Sequence, residues 1–172
     1  AALVAYLLSR CVSTVFLLVA RGRQEPYPPW TGDDGTVSLL DMSVLWDGSW
    51  YRTIAEEGYP TELPLHPDGT VRQNQWAFYP LLPLLSRVVM LVPGVDFRLA
   101  GTVVALLAGA GAAVLMARLF ARLTPGPLAV AAVAVWAVQP AAPTMQVAYT
   151  ESLATLVLVA ALTALIDRRW YA

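Results

Sequence analysis

A carboxylate framed by aromatic side chains stands out in SVLWDGSWYRTIAEEGYP, residues 43–60, of a chain otherwise rich in Ala, Leu and Val. If this stretch is helical, Asp47, Trp50 and Tyr51 fall on one face. A carboxylate in this setting has the chemistry of a general base that takes a proton from a hydroxyl group. The structural alternative is that Asp47 is a helix cap, whose carboxylate accepts a hydrogen bond from the amide of Ser49 or Trp50.

A second acidic residue, Glu151, follows Tyr149 and Thr150 in QPAAPTMQVAYTESLATLVLV, residues 139–159. The prolines end one helix and YTES begins the next, which predicts Thr150 as a cap and Glu151 in the first turn. Helix initiation alone explains this pattern, since an acidic residue there gains about 0.3–1 kcal/mol from the helix dipole. A catalytic role for Glu151 therefore depends on whether it shares a membrane face with Asp47.

Few other residues have recognisable chemistry. The guanidinium groups of Arg52 and Arg72 match phosphate oxygens, although Arg52 is also placed to pair with Glu56 one turn further on. Cys11 and His66 are each the sole residue of their type, so the sequence holds neither a disulfide framework nor a metal-binding motif. We therefore expect no cofactor, and nothing in the sequence indicates whether a metal ion is needed.

The elements that must position these residues are membrane helices. The chain has 172 residues, of which 58% are hydrophobic and 13% charged, and its mean hydropathy is +0.58. These values are far from those of an average soluble domain. Because no basic stripe is present, nucleic acid is excluded as a partner, and membrane lipids are expected instead.

Five apolar runs follow one another along the chain, and we predict that four of them span the membrane: 1–20, 98–117, 127–142 and 152–166. The loop 21–97 then carries interfacial helices at about 38–57 and 76–93. The first run could also be a signal peptide, but it lacks a small-residue cleavage site and Arg10 interrupts it, which favours a retained helix. Inside a span, Arg10 requires snorkelling or a buried partner.

The placement of arginine decides the orientation, because short cytoplasmic loops are enriched in Lys and Arg. If 76–93 does not cross the membrane, four arginines fall inside: Arg118, Arg122, Arg168 and Arg169. Asp47 and the turn at 148–152 then lie together on the outer face, which is the arrangement we predict. The opposite orientation with five spans also satisfies these arginines but separates the two acidic clusters. Arg21 and Arg23 do not agree with the orientation we predict, because they fall on the outer face.

Three segments together resemble the PIG-V-type GPI mannosyltransferases and their bacterial relatives, members of the GT-C superfamily of integral-membrane glycosyltransferases. The segments are LWDGSWYRTIAEEGYP at 45–60, WAFYPLLPLLSRVV at 76–89 and PAAPTMQVAYTESLATLVLV at 140–159. In order and spacing they are similar to that family's W-D-x-x-W-Y, A-F-[FY]-P-L-x-P-L and Y-T-E-[SA] segments. The resemblance implies an all-α, GT-C-like helical bundle in a bacterial plasma membrane. This chain is then expected to be the N-terminal part of one membrane domain and inactive by itself.

The resemblance also implies an activity. The donor would be a polyprenyl-phosphate mannose, the acceptor a lipid or glycolipid, and the sugar would be transferred with inversion. Asp47 is then the expected base and Glu151 a second catalytic residue. Substrate contacts are expected from Trp46, Trp50, Tyr51, Arg52, Tyr79, Tyr149 and Thr150.

Two other readings stay open. Transferases of the protein O-mannosyl or lipid A aminoarabinose type share this layout and also use lipid-phosphate sugars. Alternatively, the chain is a non-enzymatic membrane protein or transporter subunit, in which Asp47 and Glu151 serve only as helix ends.

Overall fold

The structure, a computed structural model, describes residues 1–23 and 37–168. Over these residues the chain is all-helical, as predicted, apart from one isolated bridge between Leu65 and Val71. The α-helices are α1 (Ala2–Arg21), α2 (Leu39–Met42), α3 (Asp47–Glu56), α4 (Leu81–Val89), α5 (Phe97–Phe120), α6 (Gly126–Val138) and α7 (Glu151–Ile166). Two 3₁₀ turns accompany them, at Gln75–Ala77 and Ala142–Gln146.

Two helices in the described part of the chain, α1 and α5, are long and apolar enough to cross a membrane. They have 20 and 24 residues, or about 30 and 36 Å, against a hydrocarbon core of about 30 Å. Helices α6 and α7 have 13 and 16 residues and, at about 20 and 24 Å, are shorter than that core. Two of the four predicted spans therefore have the required length.

Helix α5 is the centre of the bundle and contacts α1, α4, α6 and α7. Small residues allow this close packing. A Cβ atom on Gly109 would lie 2.2 Å from the Tyr6 hydroxyl oxygen. Tyr6 is buried against α5 and donates a hydrogen bond to the Leu106 carbonyl at 3.2 Å. The position of α1 on α5 thus depends on a glycine that leaves room for a tyrosine ring.

The two ends of the bundle differ in composition. At one end Arg122, after α5, pairs with Asp167, after α7. At the other end the first turn of α5 meets the segment before α7, where a Cβ on Gly101 would lie 2.7 Å from the Ala148 Cβ. Helices α2, α3 and α4 pack at this second end, which we call the polar end. Of the four arginines used to predict orientation, Arg169 lies outside the described residues.

The structure divides the predicted helix at 38–57 into α2 and α3. Ser38 and Asp41 form a capping box that starts α2, and α2 ends after four residues. A turn follows, in which Trp46 has φ 48° and ψ −117°. Because a right-handed helix needs negative φ, the chain cannot continue as one helix through Trp46.

Proline explains two further differences in helix bounds. A residue before proline is disfavoured in helical backbone. Gln139 precedes Pro140 and is extended (ψ 159°), so α6 ends at Val138 rather than near 142. Likewise Pro80 disfavours a helix at the residue before it, and α4 has only nine residues. At about 13 Å, α4 is shorter than the hydrocarbon core of a membrane.

Candidate active site

Segments far apart in sequence meet at the polar end. The hydroxyl groups of Tyr51 and Thr150 share a hydrogen bond of 3.1 Å, although they are 99 positions apart. The Tyr149 hydroxyl donates to the Leu45 carbonyl at 3.0 Å. These two bonds fix the start of α7 against both α3 and the turn that precedes α3.

Phe78 joins the second segment to the same cluster. Its ring stacks on Trp50, with centroids 5.8 Å apart, and meets the Tyr51 ring edge-on at 5.3 Å. The Phe78 carbonyl accepts a hydrogen bond of 2.7 Å from the Tyr59 hydroxyl. Leu82, which is fully buried, belongs to the same hydrophobic core. The first of the three segments that carry the family resemblance therefore contacts both of the others, and all three contribute to one hydrophobic core.

Asp47 is the first residue of α3 and is exposed. Trp46, not Asp47, is the N-cap residue, and no side chain caps this helix. The capping hydrogen bond that the structural alternative for Asp47 required is therefore not formed. No residue of the described chain donates a hydrogen bond to this carboxylate, which leaves it available to a ligand.

A strained turn places Asp47. The Gly48 amide donates to the Leu45 carbonyl at 3.0 Å, and with the positive φ of Trp46 this forms a type II′ turn. That position favours glycine, and another residue there costs about 1–3 kcal/mol. The Trp46 ring is 75% exposed, so packing of the ring does not offset this strain.

Gly48 brings the turn close to its neighbours. A Cβ atom on Gly48 would lie 2.8 Å from the Ser43 carbonyl oxygen and 3.4 Å from the Tyr149 ring. The Ser43 carbonyl also accepts a hydrogen bond of 3.0 Å from the Ala148 amide. Because backbone cannot move aside cheaply, only glycine fits here, and it holds Asp47 next to Tyr149.

The start of α7 carries three of the predicted residues. Thr150 takes the predicted N-cap position, but its hydroxyl bonds Tyr51 instead of a helix amide. Burial, together with the charge of Asp47, raises the pKa of Tyr149 to about 12. The phenol therefore stays protonated and keeps donating to the Leu45 carbonyl.

Glu151 lies just before the apolar part of α7, and its side chain is exposed. Partial desolvation by the surrounding protein raises the pKa of Glu151, and the charge of Asp47 raises it further. Hydrogen bonding to the backbone of Glu151 itself offsets part of this rise. Asp47 is thus close enough for its charge to act on Glu151.

A cleft of 390 Å³ opens beside Asp47. Its lining residues are Trp46, Asp47, Trp50, Gln73, Asn74, Ala77 and Phe78. Three of the predicted site residues are among them: Trp46, Asp47 and Trp50. Gln73, Asn74 and Phe78 were not predicted from the sequence. The polar run RQNQ, directly before the second segment, was the feature that could have indicated polar residues near the site.

The other predicted residues lie outside this cleft. Arg52 pairs with Glu56 at 2.9 Å, which is the alternative that its spacing indicated. Tyr79 is 79% exposed and does not line the cleft. Tyr51, Tyr149 and Thr150 support the cleft from behind through the hydrogen bonds already described.

Within residues 1–23 and 37–168, no three His, Cys, Asp or Glu side chains are grouped closely enough to hold a metal ion. Comparisons with protein-family models, with curated proteins and with solved structures found no match for this chain. The function is therefore inferred from the geometry of the polar end and from the resemblance of the three segments that meet there.

Proposed function

We propose that this chain is the acceptor-activating part of a membrane glycosyltransferase, of mannosyltransferase type, that uses a polyprenyl-phosphate sugar donor. One observation carries the proposal: two family-like segments line a cleft that the third supports from behind, and no described residue donates a hydrogen bond to the Asp47 carboxylate at its edge. If Asp47 served only to start a helix, its carboxylate would be expected to accept an amide of that helix, and it does not.

Asp47 is the general base in this proposal. Its carboxylate takes the proton of the acceptor hydroxyl while the acceptor oxygen forms a bond to C1 of the mannose. The bond between C1 and the phosphate oxygen breaks, and the polyprenyl phosphate leaves with the electron pair. Attack opposite the phosphate inverts the anomeric configuration. A positioned base contributes about 10²–10⁴-fold to such a rate.

Glu151 and Arg72 also have roles in the proposed reaction. Glu151 places a second negative charge near Asp47, which attracts the proton that the acceptor releases. The Arg72 guanidinium has no partner among the described residues and directly precedes the cleft residue Gln73. It is our candidate for the phosphate of the donor, since Arg52 is already paired with Glu56.

We place the polar end on the outer face of a bacterial plasma membrane, with α1 and α5 as spans of a multi-pass protein. Arg122 after α5 and Arg168 after α7 lie at the opposite end, which supports this orientation because short cytoplasmic loops are enriched in arginine. The test is labelling of Asp68→Cys with a membrane-impermeant maleimide in intact cells, in a Cys11→Ser background because Cys11 is exposed. Asp68→Cys should be labelled and Thr124→Cys, between α5 and α6, protected. The reverse pattern would contradict the orientation.

The activity is tested with the full-length protein in membranes and radiolabelled polyprenyl-phosphate mannose. We expect protein-dependent transfer of mannose to a membrane acceptor, with the anomeric configuration of the product inverted. Parallel assays with polyprenyl-phosphate glucose and aminoarabinose donors separate the related transferases. Membranes without the protein are the control. If no donor is turned over above that control, the transferase proposal fails.

A further inference from the structure

We propose that a groove between α1 and the end of α6 binds an anionic phospholipid, with one acyl chain along α1 and the phosphate group at Arg21 and Arg23. This inference rests on the proposed placement of α1 as a membrane span and does not depend on the transferase activity. It is carried by the shape of the groove, by a buried hydroxyl group and by two arginines that have no partner among the described residues.

The groove follows one face of α1. Its volume is about 630 Å³, within the range of about 300–1,000 Å³ for ligand sites. Helix α6 ends at the level of Arg10, which binds the Ala137 carbonyl, whereas α1 continues to Arg21. Residues of the 138–143 segment therefore form only one wall of the groove. The other wall extends over about 16 Å of α1 and consists of Ser9, Val12, Ser13, Phe16, Leu17 and Ala20. An elongated, mainly apolar groove on a membrane helix has the shape of an acyl chain.

A buried hydroxyl group inside the groove indicates an ester. Ser13 lines the groove and is only 3% exposed, and its hydroxyl has no hydrogen-bond partner among the described residues. The Ser9 hydroxyl differs, since it donates to the Tyr6 carbonyl at 2.6 Å. An unbonded hydroxyl in hydrocarbon is unfavourable. The ester carbonyl of a phospholipid accepts such a bond, whereas a polyprenyl phosphate has no carbonyl. The Ser13 hydroxyl therefore favours a phospholipid over the proposed sugar donor.

Two cations lie just beyond the Ala20 end of the groove. Arg21 is one turn after the lining residue Leu17, and the Arg23 amide donates to the Ala20 carbonyl at 3.0 Å. Both arginines are exposed, and neither guanidinium has a partner among the described residues. Because helical side chains lean towards the N-terminus of their helix, the Arg21 side chain is directed back over the groove. Guanidinium groups match phosphate oxygens, and two positive charges favour a lipid of net negative charge.

Such a lipid accounts for the two arginines that disagree with the predicted orientation. Arg21 and Arg23 fall on the outer face, where short loops are not expected to be enriched in arginine. Arginines that bind a lipid phosphate belong at the level of the headgroups on either face. Arg21 is about 12 Å beyond Ser13 along the helix, so the phosphate lies nearer the membrane surface than the ester does. The groove shares no lining residue with the cleft beside Asp47 and is a separate site.

Native mass spectrometry of the full-length protein in detergent, titrated with dioleoyl phosphatidylglycerol, tests the inference. Val12→Trp fills the groove and should weaken binding about tenfold or more. Val15→Trp is the matched control, because Val15 is also exposed on α1 but does not line the groove. Arg21→Gln should weaken binding about three- to tenfold. Its control is Arg118→Gln, which removes an exposed arginine at the opposite end of the bundle and should bind as the wild type does.

The role of the Ser13 hydroxyl is tested with ester-linked and ether-linked phosphatidylglycerol, since the ether lipid has no carbonyl. The wild type should bind the ester lipid about two- to fivefold more tightly, and Ser13→Ala should bind the two equally. Equal binding by Val12→Trp and Val15→Trp, or by Arg21→Gln and Arg118→Gln, would overturn the inference. Tighter binding of undecaprenyl phosphate than of phosphatidylglycerol to the wild type would also overturn it. Absence of sugar transfer would instead remove the proposed function and leave this inference standing.

Discussion

Arg10 in the bundle and Asp47 at the polar end are both charged residues in a mainly apolar chain. They differ in their burial and in their hydrogen-bond partners. Arg10 is only 6% exposed and donates to the Ala137 and Ala142 carbonyls, each at 2.7 Å. Its guanidinium also lies 4.9 Å from the centre of the Tyr6 ring. Asp47 is exposed and has no hydrogen-bond donor in the described chain. The difference separates a charge that holds helices together from one kept ready for a ligand.

Arg87 and Arg98 follow the pattern of Arg10. Arg87 donates to the Ala55 and Ile54 carbonyls and so caps the end of α3. Arg98 bridges Asp41 of α2 and Asp96, which caps α5. Partial burial would raise the pKa of Asp41, but the hydrogen bonds from Ser38 and Arg98 outweigh it and lower the pKa. These arginines are structural, which resolves the open role of Arg10 in favour of a buried partner.

The largest effect on stability is expected from Arg10→Met. The substitution leaves the Ala137 carbonyl, near the end of α6, and the Ala142 carbonyl, in the following 3₁₀ turn, without this donor. In a low-dielectric region each charge-assisted bond is worth about 1.5–3 kcal/mol. We expect a loss of about 3 kcal/mol or more, or a fall in Tm of at least about 6 °C. Thermal unfolding of the full-length protein in detergent measures it.

Arg87→Met is the matched control for this prediction, because it removes the same kind of cap at an exposed position. Water can replace the lost donors there, so the loss should be about 1 kcal/mol or less. If both variants lost equal stability, the contrast between a buried structural charge and an exposed one would not hold.

The smallest effect is expected from Glu151→Gln, and it depends on pH. Because partial desolvation and the Asp47 charge raise the pKa of Glu151 in the folded state, ionisation of Glu151 opposes folding. The favourable contribution of Glu151 to the free energy of unfolding is present below the ordinary pKa of Glu. It is lost as the pH rises through the raised pKa of Glu151. Glu151→Gln lacks this loss, so its Tm should exceed that of the wild type increasingly with pH, by at most about 4 °C.

The pH series is read by differential scanning fluorimetry, with Glu57→Gln as the control. Glu57→Gln removes another exposed carboxylate and so controls for the change in net charge. A Tm for Glu151→Gln that fell below that of the wild type at neutral pH would mean that the ionised carboxylate is stabilised by partners.

Long apolar runs were sufficient to predict three of the helices in the bundle. The predicted spans at 1–20, 98–117 and 152–166 lie within three residues of α1, α5 and α7 at each end. Long apolar runs have one stable local structure in an apolar environment, since every backbone group must be bonded within the helix. Asp47 and the 148–152 turn lie at the same end of the bundle, as predicted, while their orientation in a membrane stays a prediction.

The turn and the loop that shape the cleft could not be predicted from apolar runs. The type II′ turn at Trp46 violates the preference for glycine at that position, so local sequence predicts a continuous helix there. Gln73 and Asn74 belong to an irregular loop whose path depends on tertiary contacts, such as the bond from the Trp76 ring nitrogen to the Pro60 carbonyl. Positions fixed by strain or by long-range contacts leave no periodic signal.

The most direct test of the central claim is the rate of the chemical step in Asp47→Asn, measured in a single turnover of the full-length protein with bound polyprenyl-phosphate mannose. Asparagine keeps the size of the side chain but cannot take a proton. We predict that sugar transfer slows at least about 100-fold while donor affinity is unchanged, and that Glu57→Gln behaves as the wild type. An undiminished chemical step in Asp47→Asn, or a loss confined to donor binding, would contradict the assignment of Asp47 as the base.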